Sequence, residues 1–522
     1  MARARRRIAA AALHLLALAG LLAGASAAPA AQPGAQPAAA KSAQGWLVGE
    51  SSGDGGAVFR GVPYAAPPLG PLRWHAPRPP HPWRGRRMAS AAAAPCLQAD
   101  YGWNASDAAR SSEDCLYLDI RTPDLHPHKP LPVMVWIHGG SNRAGSAGGT
   151  MDSGITRRGV VLVSIQYRLG VFGFLSHPAL TREARHQAAG NFGLLDQIAA
   201  LGWIRRNIAA FGGDARNVTV FGHSAGAEDV GLLLVSPLAR GLFSRAIEQS
   251  GSPAFGFPPR SLADNEAIGL QLALLLHAGT DAAALAALRS RDAHEILAAA
   301  EALRSPSLRD PSYLWLQVVV DGQVLPLAPR ELLAAGRSNP VALIIGSNTR
   351  ELTVPGGDEQ TDAFLADSFG ANDAAARSMY GYMRDGPQPA GDVRYGSFSE
   401  RLSGDVIFRC PAARTAELQA AAGNPVWQYQ FGRIDSERPL GHAAELPFVF
   451  DDLPLGAEQG GPRVSVQAYW VAFAQRGDPN GPALPSWPRY DPSTRAYMDF
   501  SAIGPQAASN LGAPICTLLD RV

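Results

Sequence analysis

Val218-Thr219-Val220-Phe221-Gly222-His223-Ser224-Ala225-Gly226 runs from a short apolar strand into a serine flanked by glycines, and the helix-compatible segment Ala227 to Leu234 follows at once. A strand that turns directly into a helix leaves no room for side chains beside the turn. Glycines therefore bracket Ser224, and the strained backbone lifts its hydroxyl above the sheet edge. The first amides of the helix aim at the same point. Gly-x-Ser-x-Gly alone arises by chance in many proteins; the strand, turn and helix around it make this one a nucleophile elbow.

The surrounding sequence supplies matching elements. Val133 to Ile137, Val160 to Ile165 and Val341 to Ile345 are short, β-branched runs bounded by Gly, Pro or Asn, as buried parallel strands are. Leu194 to Ala210 has apolar residues at helical spacing, with Gly212-Gly213 just beyond its end. Alternating strands and helices predict an α/β sheet. Ala282 to Leu303, rich in Ala and Leu with dispersed charges, reads as a pair of surface helices that cover the body, by plain packing or as a lid.

A serine hydroxyl is a poor nucleophile until a base takes its proton, and an acid must hold that base in the right tautomer. On an α/β-hydrolase sheet the chain order is Ser, then Asp or Glu, then His, each partner in a loop after a strand. Glu351 follows Val341 to Ile345 through Gly346-Ser347-Asn348, and His442 follows Val426 to Phe431. Spacing alone does not single out one of twelve histidines. The carbonyl oxygen gains charge under attack, so backbone donors are needed beside it. His138-Gly139-Gly140-Ser141, after a strand, fits that task, with His138 itself structural.

These residues resemble the type-B carboxylesterases, relatives of cholinesterases and of bacterial para-nitrobenzyl-type esterases. The resemblance covers most of the chain: Phe59-Arg60-Gly61-Val62-Pro63-Tyr64-Ala65, Glu113-Asp114-Cys115-Leu116-Tyr117-Leu118, Tyr167-Arg168-Leu169-Gly170, Gly190-Asn191-Phe192-Gly193 and the elbow fall in register. Asn348-Thr349-Arg350-Glu351 resembles the acid loop, and His442-Ala443-Ala444-Glu445-Leu446-Pro447-Phe448 the histidine loop. The resemblance implies an α/β-hydrolase fold: a central, mostly parallel sheet flanked by helices, with additional covering helices. It implies Ser224, Glu351 and His442 as catalytic residues, and the amides of Gly140, Ser141 and Ala225 as the oxyanion hole. It places Ser250 as a hydroxyl near the acid, pairs Cys96 with Cys115 and Cys410 with Cys516, and makes Arg73 with Glu113 and Arg168 with Asp196 structural ion pairs. No cofactor or metal is implied; the partner is a small-molecule ester.

Two departures bear on substrate. Ser141 replaces the family's common third glycine and is followed by Asn142 and Arg143, so a donor survives there only if the local backbone suits a non-glycine residue. His223 replaces the usual Glu before the nucleophile, which argues against a choline ester. Trp103 then lines an apolar pocket rather than binding a cation, since cation recognition needs nearby negative charge as well. Arg143 either holds a substrate carboxylate, as a guanidinium can in bidentate fashion, or faces solvent or a structural partner. The fumonisin-type esterases offer a precedent, by resemblance, for carboxylate-bearing esters.

Bulk properties set the remaining bounds. The 522 residues carry 46 Lys plus Arg against 45 Asp plus Glu, a net charge of +1, so no overall field favours nucleic acid. Arg3, Arg5, Arg6 and Arg7 precede the apolar run Ile8 to Leu22 and small residues to Ala27, a signal-peptide pattern with cleavage near Ala27 by the general or the twin-arginine route. The run is shorter than the ~20 residues a span needs, so no stable membrane anchor is expected. Residues 28–45 read as a flexible mature terminus and 46–522 as one catalytic domain, secreted or periplasmic. Four cysteines allow three pairings, and export permits disulfides. Lipase or thioesterase chemistry on the same fold, and a non-catalytic scaffold, are the competing functions; oligomeric state is not readable.

Overall fold

The computed structural model describes residues 37–520, apart from 53–54, 185–188, 254–256, 258, 280–282, 355–356, 385, 433–440 and 457–462. The leader expected at residues 1–27 lies outside the described residues. Thirteen strands among those described join one sheet: β1 (Ala38–Ser42), β2 (Gly45–Ser51), β3 (Ala57–Pro63), β4 (Arg86–Met88), β5 (Tyr117–Thr122), β6 (Leu131–Ile137), β7 (Val161–Ile165), β8 (Gly213–His223), β9 (Arg245–Gln249), β10 (Ala342–Asn348), β11 (Val426–Gly432), β12 (Ala496–Ser501) and β13 (Gly504–Ser509). Their order is β1-β2-β3-β5-β7-β6-β8-β9-β10-β11-β12-β13, with β4 beside β2. From β7 to β12 every pair is parallel; the flanking pairs along that order are antiparallel, and β4 runs parallel to β2.

The strands expected from sequence all fall in that parallel run, as β6, β7, β8 and β10. Because they are buried on both faces, they read as continuous apolar stretches rather than alternating ones. Val133, Val135 and Ile137 of β6 pack on one side with α1 (Phe192–Asn207) and α2 (Ala225–Val235). Met134 and Trp136 of the same strand pack on the other with Trp470 of the helix Val466–Arg476. The expected helix Leu194 to Ala210 is α1 followed by a tighter turn, Ile208–Phe211, which ends at Gly212 with φ 81°.

Two expectations change or sharpen. Residues 38–42, read as flexible, form β1 and pair with β2 from Ala38 opposite Gly49 to Ser42 opposite Gly45, which moves the domain's edge ahead of residue 46. An Ala-rich segment has weak intrinsic strand preference, and the pairing partner decides its state. Ala282 to Leu303 holds the helices Ala284–Ser290 and Ala293–Ala300, whose Leu285, Leu288 and Ile296 are buried in the core.

Cys96 bonds to Cys115 and Cys410 to Cys516, so all four cysteines are paired. Arg73 and Glu113 form a two-point ion pair, Nε to Oε1 at 2.7 Å and Nη2 to Oε2 at 2.6 Å. Among the described residues no helix is long and apolar enough to cross a membrane, and no cluster of His, Cys, Asp and Glu is arranged to hold a metal ion.

Candidate active site

Four loops at the carboxyl ends of parallel strands β6, β8, β10 and β11 converge, which is where ligands bind on open α/β sheets. The turn after β8 holds Ser224 at φ 58°, ψ −127°, a left-handed φ that costs a non-glycine residue ~1–2 kcal/mol. Its neighbours show why glycine is required there. A Cβ on Gly222 would lie 2.4 Å from the Gly226 oxygen, and one on Gly226 would lie 2.2 Å from the Ile137 oxygen. The Ser224 amide is bonded to the Gln249 carbonyl at 2.8 Å, which anchors the turn to β9.

Glu351, buried in the loop after β10, accepts from the His442 ring through Oε2, 2.6 Å from Nδ1, and from the Asn348 amide through Oε1 at 2.7 Å. The other ring nitrogen of His442, Nε2, is buried and has no hydrogen-bond partner among the described residues. Ser224 and His442 line one cavity of about 840 Å3. Carboxylate on one nitrogen and an open lone pair on the other is the arrangement a general base needs.

The loop after β6 lines the same cavity. No acceptor among the described residues takes the amides of Gly140 or Ser141, and Ala225 opens α2, where helix amides have no internal partner. Ser141 and Asn142 both have left-handed backbone, φ 54° and 53°. The glycine replaced at position 141 is thus one whose conformational freedom the loop uses, and the serine holds the shape under strain. His138 stacks on Tyr167 with ring centroids 4.5 Å apart, and burial lowers its pKa to about 4, so it is neutral and structural at pH 7.

The His223 ring lies 4.4 Å from that of His442, and burial, then the neighbouring His442, holds its pKa well below the ordinary histidine value. Its Nε2 lies 3.8 Å from Glu445 Oε1, too long for a hydrogen bond. Trp103 is exposed on the cavity rim. Arg143 also lines the cavity; its guanidinium lies 4.0 Å from the Tyr101 ring centroid, and it makes no ion pair among the described residues. A second cavity of about 550 Å3, walled by Phe257, Leu308, Val354, Phe364 and Ile407, shares Asp310 and Tyr313 with the first.

The Ser250 Oγ is buried without a partner among the described residues. Glu445 is bonded to Asn348 and Gln249. Its Oε2 accepts from Asn348 Nδ2 at 2.7 Å and its Oε1 from Gln249 Nε2 at 3.1 Å, and burial raises its pKa. Asn348 thus bridges Glu351 and Glu445. Sequence reasoning gave Glu445 no role; its place three residues after His442 in the quoted loop was the available signal.

Fold and site together define a hydrolase built on the α/β-hydrolase sheet. Over residues 38–516 the chain matches the Carboxylesterase family, and it belongs to that family and is a carboxylic-ester hydrolase. It is 35% identical over 462 residues to the Fumonisin B1 esterase of Sphingopyxis macrogoltabida, covering 83% of this chain and 81% of that one. It is equally similar, 35% over 462 residues, to the Para-nitrobenzyl esterase of Bacillus subtilis (strain 168), covering 84% and 90%. A solved PNB esterase superposes with a TM-score of 0.76 at 31% identity, over 92% of this chain and 99% of that one. A Geobacillus stearothermophilus carboxylesterase does so at 0.74 and 32%, with the same coverage.

Proposed function

We propose that this carboxylesterase is exported and works through an acyl-enzyme, with Ser224 as nucleophile, His442 as general base and Glu351 as its acid. The observation that carries the reading is the 2.6 Å contact between Glu351 and Nδ1 of His442, with Nε2 unpartnered among the described residues and His442 and Ser224 lining one cavity. In the first half-reaction Ser224 Oγ attacks the ester carbon while its proton passes to His442 Nε2. The oxygen that becomes anionic accepts from the amides of Gly140, Ser141 and Ala225, and the alcohol leaves with the proton. Water then repeats the sequence on the acyl-enzyme and frees the acid.

The substrate reading is an ester that bears a free carboxylate. Arg143 supplies cationic charge in the cavity and makes no ion pair among the described residues, whereas Asp107 on the same wall is paired with Arg110 at 3.0 Å. The Fumonisin B1 esterase among the relatives supports this reading. His223, neutral where a carboxylate would favour cations, agrees with it. Arg143→Ala is expected to lower kcat/KM for an ω-carboxylate ester by about 1–3 kcal/mol more than for its neutral analogue. Equal losses on both esters would remove the carboxylate reading and leave a general esterase.

Reaction with a fluorophosphonate followed by peptide mapping tests the enzyme reading: the label belongs on Ser224, and an unlabelled protein would refute the proposal. The same map of exported protein is expected to begin near Ala28. The two disulfides support export, since such bonds persist in oxidising compartments.

A further inference from the structure

We propose that Asp229 and Asn142 are positioning residues for the oxyanion hole, a carboxylate–amide tie that clamps the loop carrying two donors to the helix carrying the third. The inference rests on the serine-esterase reading above. It starts from strain: Ser141 and Asn142 are consecutive non-glycine residues at φ 54° and 53°. A loop in that state relaxes unless its surroundings over-determine it.

The over-determination is visible at Asn142. Its Nδ2 donates to Asp229 Oδ1 at 3.1 Å, its carbonyl accepts from the Gly170 amide at 2.6 Å, and its Oδ1 lies 3.3 Å from the Tyr167 hydroxyl, whose single proton it shares with the His138 carbonyl. Tyr167 donates to the His138 carbonyl at 2.7 Å, which holds the other end of the same loop. Asp229 lies on α2, five residues after Ser224, and is fully buried. Its second oxygen accepts from Gln197 Nε2 of α1 at 2.5 Å, so the carboxylate is fixed from two helices.

A buried carboxylate facing two neutral amides is costly, and an apolar residue would fill the same volume more cheaply. Burial, opposed by the bonds from Gln197 and Asn142, raises the Asp229 pKa to about 7. What the carboxylate gains over an apolar side chain is direction: it fixes the Asn142 amide, and through it the backbone of Ser141. Donors contribute most to an oxyanion when they need no reorganisation at the moment of attack.

Asn142→Gly deletes the amide while leaving the left-handed backbone accessible, and Asp229→Asn keeps the shape while removing the charge. The test compares kcat, KM and the inhibition constant of a trifluoromethyl ketone analogue of a neutral ester. Ser224 Oγ bonds to the ketone carbon, the carbonyl π pair moves onto oxygen, and the serine proton passes to His442, so the adduct reports on the hole itself. Each variant is expected to lower kcat by about 10- to 100-fold with KM within about twofold, and to weaken the ketone by the same factor as kcat. If Asp229→Asn does not fold, Asn142→Gly decides. Variants that melt earlier but keep kcat and ketone affinity would show that the tie only stabilises the fold, and would overturn the proposal. A parent protein that does not bind the ketone would instead refute the serine-esterase reading, and this inference with it.

Discussion

Ser224→Ala and His442→Ala are each expected to lower kcat by on the order of 10^4-fold or more, and the double variant by little more than either alone. The non-additivity is the sharper part of the expectation. Once Ser224 is gone, His442 has no hydroxyl to deprotonate, and once His442 is gone, the hydroxyl stays protonated. What remains in all three variants is stabilisation by the amides and by substrate binding, which leaves a similar residual rate. Near-normal turnover in His442→Ala, measured on a neutral ester at saturating concentration, would show that another group accepts the proton.

Arg168→Ala is expected to destabilise the fold by about 3–5 kcal/mol, the range for leaving one partner of a buried ion pair alone. The Arg168 guanidinium meets Asp196 at two points, Nε to Oδ2 and Nη2 to Oδ1, both at 2.7 Å, and its own amide adds a third bond at 3.1 Å. Neither side chain is more than 3% exposed. Even with the guanidinium in place, burial holds the Asp196 carboxyl above its ordinary pKa, so the cost of isolating it is already visible. Replacing both partners together, Arg168→Met with Asp196→Leu, removes the stranded charge and is expected to recover most of the loss. Urea unfolding measures both, and a single variant within about 1 kcal/mol of the parent would show that the pair does not hold this region.

What the sequence made legible is local. The elbow, the strands beside it and the helix after it are written in consecutive residues, whereas Glu351 and His442 follow their strands at places that only the resemblance to the family singled out. What it hid is long-range. Glu445 meets Asn348 across 97 residues, and Asn142 meets Asp229 across 87, so neither partner marks the other in the chain. The strand β1 was hidden for a related reason: Ala38-Ala39-Ala40-Lys41-Ser42 has the composition of a tether, and only β2 makes it a strand.

The bond between Cys410 and Cys516 closes a ring of chain that carries His442, β11, β12, β13 and the helix Val466–Arg476. His442 therefore lies on a segment whose two ends one disulfide joins, while Ser224 lies outside that ring, between β8 and α2. Opening the β12–β13 edge cannot release the segment as a free tail, because its far end returns to Cys410. Detachment of this segment from the rest of the sheet therefore has to part β11 from β10, across the pairing that runs from Leu343 opposite Val426 to Asn348 opposite Phe431, while its ends stay joined.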